Sequence, residues 1–209
     1  MFTFFNDAKA EVRRQAVDLI CGLSLDNQEV LDVFMASPEF FVSRLFSKLS
    51  DQPEIAAGAW DSLINISQDK RVSIYLIDHH LTKIRLLLVS KDYIFADAAS
   101  KLFANLSKCV TDRPSHLYDT IEDLYFLYIS GSRHNQYSSY EYLACSLADL
   151  TTIKEGRVFF LKDISRLESL FIDFNSISVV RRGGACSIIK NCLFELDYHE
   201  LILEKELED

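Results

Sequence analysis

Five histidines, five cysteines and one serine–histidine loop are the residues of this 209-residue chain that could run a reaction or hold a metal. His199-Glu200 opens the helical pattern of a zinc hydrolase, in which two histidines on one face hold the metal and the glutamate is the base. No second histidine follows at the required place. His79, His80, His116 and His134 are scattered, and neighbours on a helix point in different directions. Cys21, Cys109, Cys145, Cys186 and Cys192 form no CxxC pair. Three cysteines inside repeat helices read as small buried hydrophobes of a reduced, intracellular protein. Ser130-Gly131-Ser132-Arg133-His134 joins serine to histidine without nucleophile-elbow spacing, so it reads as a polar loop. Gly131 and Gly156 stand alone, leaving no phosphate-cradling loop and no dinucleotide fingerprint. Asn65-Ile66-Ser67 and Asn105-Leu106-Ser107 match the glycosylation triplet but fall within helices of a cytosolic-looking chain. These residues imply no enzyme, no metal and no cofactor, which leaves binding.

The elements that position them repeat. ICGLS (Ile20 to Ser24), LINIS (Leu63 to Ser67), FANLS (Phe103 to Ser107), LADLT (Leu147 to Thr151) and IKNCL (Ile189 to Leu193) share one pattern. Their central polar slot holds Gly22, Asn65, Asn105, Asp149 and Asn191, at steps of 43, 40, 44 and 42 residues. A period of this length marks HEAT or armadillo helical repeats. Six residues before the slot stand Ala16, Ala59, Ala99, Leu143 and Ala185; two before it, Ile20, Leu63, Phe103, Leu147 and Ile189. One after it stand Leu23, Ile66, Leu106, Leu150 and Cys192. Offsets spaced by four and three trace the buried face of an amphipathic helix. Long inner helices are expected near 9–24, 53–68, 94–108, 136–151 and 180–195. Shorter ones are expected at 27–36, 38–49, 70–79, 81–89, 117–129, 154–161, 163–173 and 197–207. Pro38 suits a helix start, and Ser50-Asp51 a cap for the helix near Pro53. The fold class is all-α: a right-handed armadillo/HEAT-like α-solenoid of about five repeats, one domain over residues 1–209.

Composition agrees. Apolar residues make up 49%, with only 6 glycines and 3 prolines, so no linker or low-complexity tract interrupts the chain. A formal charge of −9 argues against a nucleic-acid partner, which selects a basic stripe. No run of 18 apolar residues exists to span a membrane, and the N-terminus is charged too soon for a secretory signal. The cytoplasm is the expected location, with nuclear entry left open.

In such a stack the inner helices line a concave groove. Four residues before the slot stand Asp18, Asp61, Lys101, Cys145 and Ser187; eight before it, Arg14, Ala57, Asp97, Glu141 and Gly183. With Asn65, Asn105, Asp149 and Asn191 they form a polar, mildly acidic stripe. An asparagine ladder can hold an extended polypeptide, because the amide both donates and accepts. The alternative, of equal weight, is that these side chains are solvated or bonded to helices. Trp60, five before its slot, reads as core, and no tryptophan stands four before a slot as in nuclear-import armadillo proteins. Val180-Arg181-Arg182-Gly183-Gly184 opens the last inner helix with two cations where the helix dipole prefers anions. An internal inter-repeat ladder fits Arg181; a partner's carboxylate fits Arg182. The candidate partner-binding set is Asp61, Asn65, Asp97, Lys101, Asn105, Glu141, Cys145, Asp149, Arg181, Arg182 and Asn191.

Two segments are more specific than the repeat. One is Tyr142-Leu143-Ala144-Cys145-Ser146-Leu147-Ala148-Asp149-Leu150-Thr151 with Glu155-Gly156-Arg157 and Phe159-Phe160-Leu161. The other is Arg181-Arg182-Gly183-Gly184, then Asn191-Cys192, Phe194 and His199-Glu200. Both resemble the Hgh family of eukaryotic armadillo-type proteins. The resemblance implies a cytosolic chaperone adaptor that helps translation elongation factor 2 fold, with the chaperonin and prefoldin as further partners. It carries no catalytic residue. Asp149 stands where the family has asparagine, and Leu201 where it has tryptophan. The family continues with further helical repeats, so a chain stopping at Asp209 reads as truncated or reduced. The final helix, with Leu201, Ile202, Leu203 and Leu207, then reads as a docking or self-association patch.

Overall fold

This computed structural model describes residues 2–24 and 28–200, with side chains from Phe4 onward. The inner helices are α1 (Ala10–Leu23), α4 (Pro53–Ile66), α6 (Ala96–Ser107), α9 (Leu143–Leu150) and α12 (Val179–Cys192). They pack on one another in that order. Between them run α2 (Gln28–Ala36), α3 (Pro38–Ser47), α5 (Lys70–Val89), α7 (Pro114–Tyr118), α8 (Ile121–Ser130), α10 (Lys154–Leu161) and α11 (Ser165–Glu168). No strand occurs among the described residues. The fold is an all-α solenoid.

Its core is what the column spacing demands. The positions six and two before the slot and one after it are buried in every repeat, except Ile189 and Leu23, which are partly buried near the two ends. Side chains four and three apart lie on one face, so a repeated apolar column becomes a continuous core once the helices stack. Pro38, Pro53 and Pro114 each open a helix, where the missing N–H leaves no bond unmade. Trp60 is core as expected, its indole N–H donating to the Tyr93 hydroxyl at 2.9 Å.

Five elements differ from the sequence reading, the first being 117–129, which divides into α7 and α8 on either side of Asp119-Thr120. The segments 70–79 and 81–89 form one helix, α5, because nothing at Asp78-His79-His80 breaks it and Leu76, Ile77, Leu81, Ile84 and Leu88 continue one buried face. The interval between α4 and α6 is therefore HEAT-like, with one outer helix, while the other three intervals between the described inner helices carry two. The fourth inner helix starts at Leu143 rather than near 136. The preceding loop is held to the end of α5: the Asn135 amide donates to the Ser90 and Tyr93 carbonyls, and the Tyr140 hydroxyl to the Leu88 carbonyl. Buried Tyr140 adopts φ of 54°, a conformation a helix cannot continue through. The stretch 163–173 divides into α11 and a 3₁₀ turn, Phe171–Asn175. The predicted helix 197–207 begins as a 3₁₀ turn, Leu196–Tyr198, and its residues 201–207 lie outside the described ones.

Asp51 does not cap α4. Its carboxylate accepts from Arg13 Nε at 2.9 Å and Nη2 at 2.8 Å and from the neighbouring Gln52 N–H, while Gln52 occupies the cap position without a side-chain bond. Among the cysteines, Cys109 and Cys192 are buried, whereas Cys145 and Cys186 are exposed despite lying in repeat helices.

Candidate protein-binding face

With the outer helices packed on one side, the positions four and eight before the slot face away from the core. Arg14, Asp18, Asp61, Cys145 and Gly183 are exposed, and Ala57, Asp97, Lys101, Glu141 and Ser187 are partly so. This row is the candidate face. Its charges differ in how much they are already used. Asp97 bonds Lys101 at 3.0 Å, one turn apart, and Lys101 also lies over the Tyr142 ring. The Asp97 bond holds the Lys101 ammonium above the ordinary lysine range, and the field of Asp61 adds to it. Asp18 meets Arg14 at 3.6 Å, both side chains about half exposed, a contact worth little. Asp61 is exposed and makes no salt bridge among the described residues.

Glu141 has a structural duty that the sequence did not reveal. Its Oε2 accepts from the Ser178 hydroxyl at 2.6 Å, and Ser178 Oγ in turn accepts the Arg181 N–H that caps α12. Reversing this charge would loosen the cap as well as the face.

The polar slot looks sideways, into the stack. The Asn105 amide donates to the Ile64 carbonyl and to Ser67 Oγ, both at 3.0 Å. Asn191 repeats the pair one step on, to the Ala148 carbonyl at 3.2 Å and Thr151 Oγ1 at 3.0 Å. Ser67 and Thr151 donate their own protons to those same carbonyls, which closes a small ring of bonds between successive repeats. Asn105 Oδ1 accepts from Lys108. Both amide protons of each asparagine are thus committed within the fold. Asn65 makes no side-chain hydrogen bond among the described residues, and Gly22 offers none.

Asp149 breaks the ring. An ionised carboxylate only accepts, so Ser107 Oγ turns to it at 2.7 Å while also lying 3.1 Å from the Ala104 carbonyl. Burial pushes the Asp149 carboxyl above the usual range, with the Ser107 bond and Lys108 opposing. A raised folded value means the native state holds its proton longer than the unfolded chain. The stability this group contributes is complete below the unfolded value and falls as pH rises through the folded one. Asp149→Asn should restore the donor pair toward Ala104 and Ser107, adding about 1 kcal/mol at neutral pH. The gain should shrink as pH falls through the titration, which urea unfolding at several pH values would read. A variant no more stable than the parent at neutral pH would show that Asp149 is at ease ionised.

Arg181 is also internal. Its Nε meets Asp173 Oδ1 at 2.6 Å, its guanidinium lies over the Tyr128 ring, and Tyr128 donates its hydroxyl to Asp173 Oδ2. Arg182 donates to the Ser176 and Ile177 carbonyls and makes no ion pair among the described residues. The structure therefore brings Asp61, Asp97, Lys101, Glu141 and Cys145 onto one face, and turns Asn105, Asp149, Asn191 and Arg181 into the stack.

The chain is similar to the proteins named HGH1 homolog of Schizosaccharomyces pombe, at 26% identity over 97% of this chain and 62% of that one. Against that of Danio rerio it is 28% identical over 94% and 54%, and against that of Xenopus tropicalis 29% over 97% and 58%. It spans roughly 54–62% of the length of these curated relatives. A family model described as a domain of unknown function, DUF383, matches residues 63–209, well over half of the chain. The chain belongs to the Hgh family. Solved structures agree with the fold of this Hgh-family chain. A designed armadillo repeat protein, determined in complex with the peptide (KR)4, superposes with a TM-score of 0.73 at 18% identity, over 91% of this chain and 80% of the other. An engineered protein gives 0.73 at 17% identity, over 92% and 46%. The armadillo-like arrangement and the Hgh membership support a protein-binding scaffold. No described helix is long and apolar enough to cross a membrane.

Proposed function

We propose that this chain is a non-enzymatic adaptor that holds a protein client on its inner-helix face. Its client is translation elongation factor 2, and it works in the cytosol with the chaperonin and prefoldin. The observation that carries the holding role is the uncovered polar row along five stacked helices, with the unpaired acid of Asp61 on the second of them. Membership of the Hgh family supports the elongation-factor client through the resemblance set out above. A generic scaffold reading an extended peptide with an asparagine ladder has less support, since the Asn105 and Asn191 amides are committed to the preceding repeat.

The test is capture from eukaryotic lysate at low salt. Enrichment of elongation factor 2 together with chaperonin subunits is the expected result, and its absence would remove the adaptor reading. Asp61→Lys should weaken capture while shifting stability by no more than about 0.5 kcal/mol, because the side chain is exposed and unpaired. Glu141→Lys should weaken capture and also lower the melting temperature, through Ser178 and the α12 cap. Capture unchanged by Asp61→Lys would place the client elsewhere. Contacts of this kind weaken with added salt.

A further inference from the structure

The junction between α6 and α9, in the middle of the stack, is built unlike those on either side of it. At the α4–α6 and α9–α12 junctions an asparagine amide donates both protons to the preceding repeat, to a carbonyl and to a hydroxyl. At α6–α9 the same place holds Asp149, which as a carboxylate has no proton to donate. The single proton of Ser107 Oγ faces two acceptors, Asp149 Oδ2 at 2.7 Å and the Ala104 carbonyl at 3.1 Å. A second polar group on this side of α9 has no partner at all. The column three before the slot faces the preceding inner helix. Leu19, with no earlier inner helix among the described residues, is 46% exposed, whereas Ser62, Leu102, Ser146 and Ile188 are fully buried. Ser62 Oγ donates to the Gly58 carbonyl, but Ser146 Oγ is buried with no hydrogen-bond partner among the described residues. Ser146 and Asp149, three residues apart, are neighbours on one helix face.

The other end of the same junction is well tied. Just ahead of α9 the Asn135 amide holds the Ser90 and Tyr93 carbonyls, the Tyr140 hydroxyl holds that of Leu88, and Lys101 of α6 lies over the Tyr142 ring. Tied at the start of α9 and short of bonds near its end, the junction has the build of a hinge. Lys108, at the end of α6, is the one charge among the described residues that acts on Asp149, and it favours the ionised form. Desolvation outweighs Lys108 and the Ser107 bond and raises the carboxyl. The nearby thiols of Cys145 and Cys109 are raised too, by desolvation first, and stay neutral. Arg157 of α10 is engaged by Glu195 and the Thr151 and Thr152 carbonyls, α8 turns Tyr128 to Asp173, and α12 presents the Asn191 amide to Ala148.

We propose that the α6–α9 junction is a proton-operated hinge. A proton on Asp149 gives the side chain a hydroxyl that donates to the Ala104 carbonyl, as Asn105 donates to that of Ile64, while Ser107 keeps its bond to the other oxygen. The ring of bonds closes and the Asp149 edge shuts. Loss of the proton removes the new bond, and that edge parts by swinging about the tied end. Asp61 and Lys101 lie on one side of the hinge and Cys145 on the other, so its state sets the spacing along the exposed row. Asp51, Asp69 and Asp78, each bonded to an arginine, are held below the ordinary carboxylate range, so mild acid reaches Asp149 first and leaves those pairs intact.

Pulsed EPR distances test this, in a chain whose Cys21, Cys145 and Cys186 are changed to serine. Spin labels at exposed Gln68 and Thr152 report the Asp149 edge, and labels at exposed Asp92 and Gln136 the tied end. As pH falls through the Asp149 titration the first distance should shorten by about 2 Å and its spread narrow, the scale of helix shifts at packed interfaces. The second distance should not change. Asp149→Asn should hold the first distance short at every pH. Ser107→Ala removes the donor that favours the ionised form, so closure should move to higher pH, and this variant carries the test should Asp149→Asn fail to fold. A Gln68–Thr152 distance indifferent to pH, or one that follows pH equally in Asp149→Asn, overturns the proposal. No client enters any of these measurements, so they stand apart from the capture experiment.

Discussion

Arg181→Ala should cost about 3–5 kcal/mol, the usual loss when one member of a buried ion pair is removed. Asp173 is almost fully buried, and its two oxygens are satisfied by Arg181 and by the Tyr128 hydroxyl. Deleting the guanidinium leaves an almost fully buried carboxylate with one neutral donor, the Tyr128 hydroxyl. The Tyr128 carbonyl loses its Arg181 bonds as well. Burial and the Asp173 bond raise the Tyr128 phenol, so that hydroxyl stays protonated and able to donate. Tyr128→Phe should therefore cost only about 1 kcal/mol, the net value of one hydrogen bond. Because α12 is the last inner helix described, the loss in Arg181→Ala should appear first as early melting of that repeat. Urea unfolding followed by circular dichroism would show it. If Arg182→Ala, which removes only two bonds to loop carbonyls, costs as much, the buried pair is not what holds α12.

Gly156→Ala should destabilise by about 3 kcal/mol or more, the upper range for forced overpacking. Gly156 is buried in α10, and a Cβ there would overlap the Leu150 carbonyl at the end of α9 and approach Thr151 N at 3.1 Å. Backbone cannot rotate aside as a side chain can, so α10 must move off α9 as a body. Gly183 gives the opposite sign. A Cβ there meets nothing within 4 Å, and the residue is exposed near the start of α12. Gly183→Ala should stabilise by about 0.5–1 kcal/mol by restricting the unfolded chain. Thermal unfolding of the two variants side by side checks both, and a neutral Gly156→Ala would mean the α9–α10 junction has slack.

The neighbouring pair Gly183-Gly184 shows where sequence reading reaches its end. Both glycines suggest close approach, but only Gly184 has a neighbour there, at Ala144. The same holds for Arg181 and Arg182. The sequence favoured an internal partner for Arg181, but not its identity: Asp173 is brought to it by a 3₁₀ turn at Phe171–Asn175 that local periodicity reads as helix. Glu141 appears as one more acid on the face until Ser178, 37 residues away, is seen to lean on it.

The sequence by itself determined the number of inner helices, their register and their buried columns. It could do so because a helix face is a local pattern of three- and four-residue steps, copied here every 40 to 44 residues. The same pattern, with its acidic excess and its lack of a catalytic constellation, pointed to binding. Tertiary structure decided what the polar slot does. The rise and twist from one repeat to the next set Asn105 and Asn191 against hydroxyls and carbonyls about 40 residues earlier, and left Asp149 with a donor it could not return. A hydrogen bond across that separation is fixed by how helices stack, which no single helix's spacing encodes.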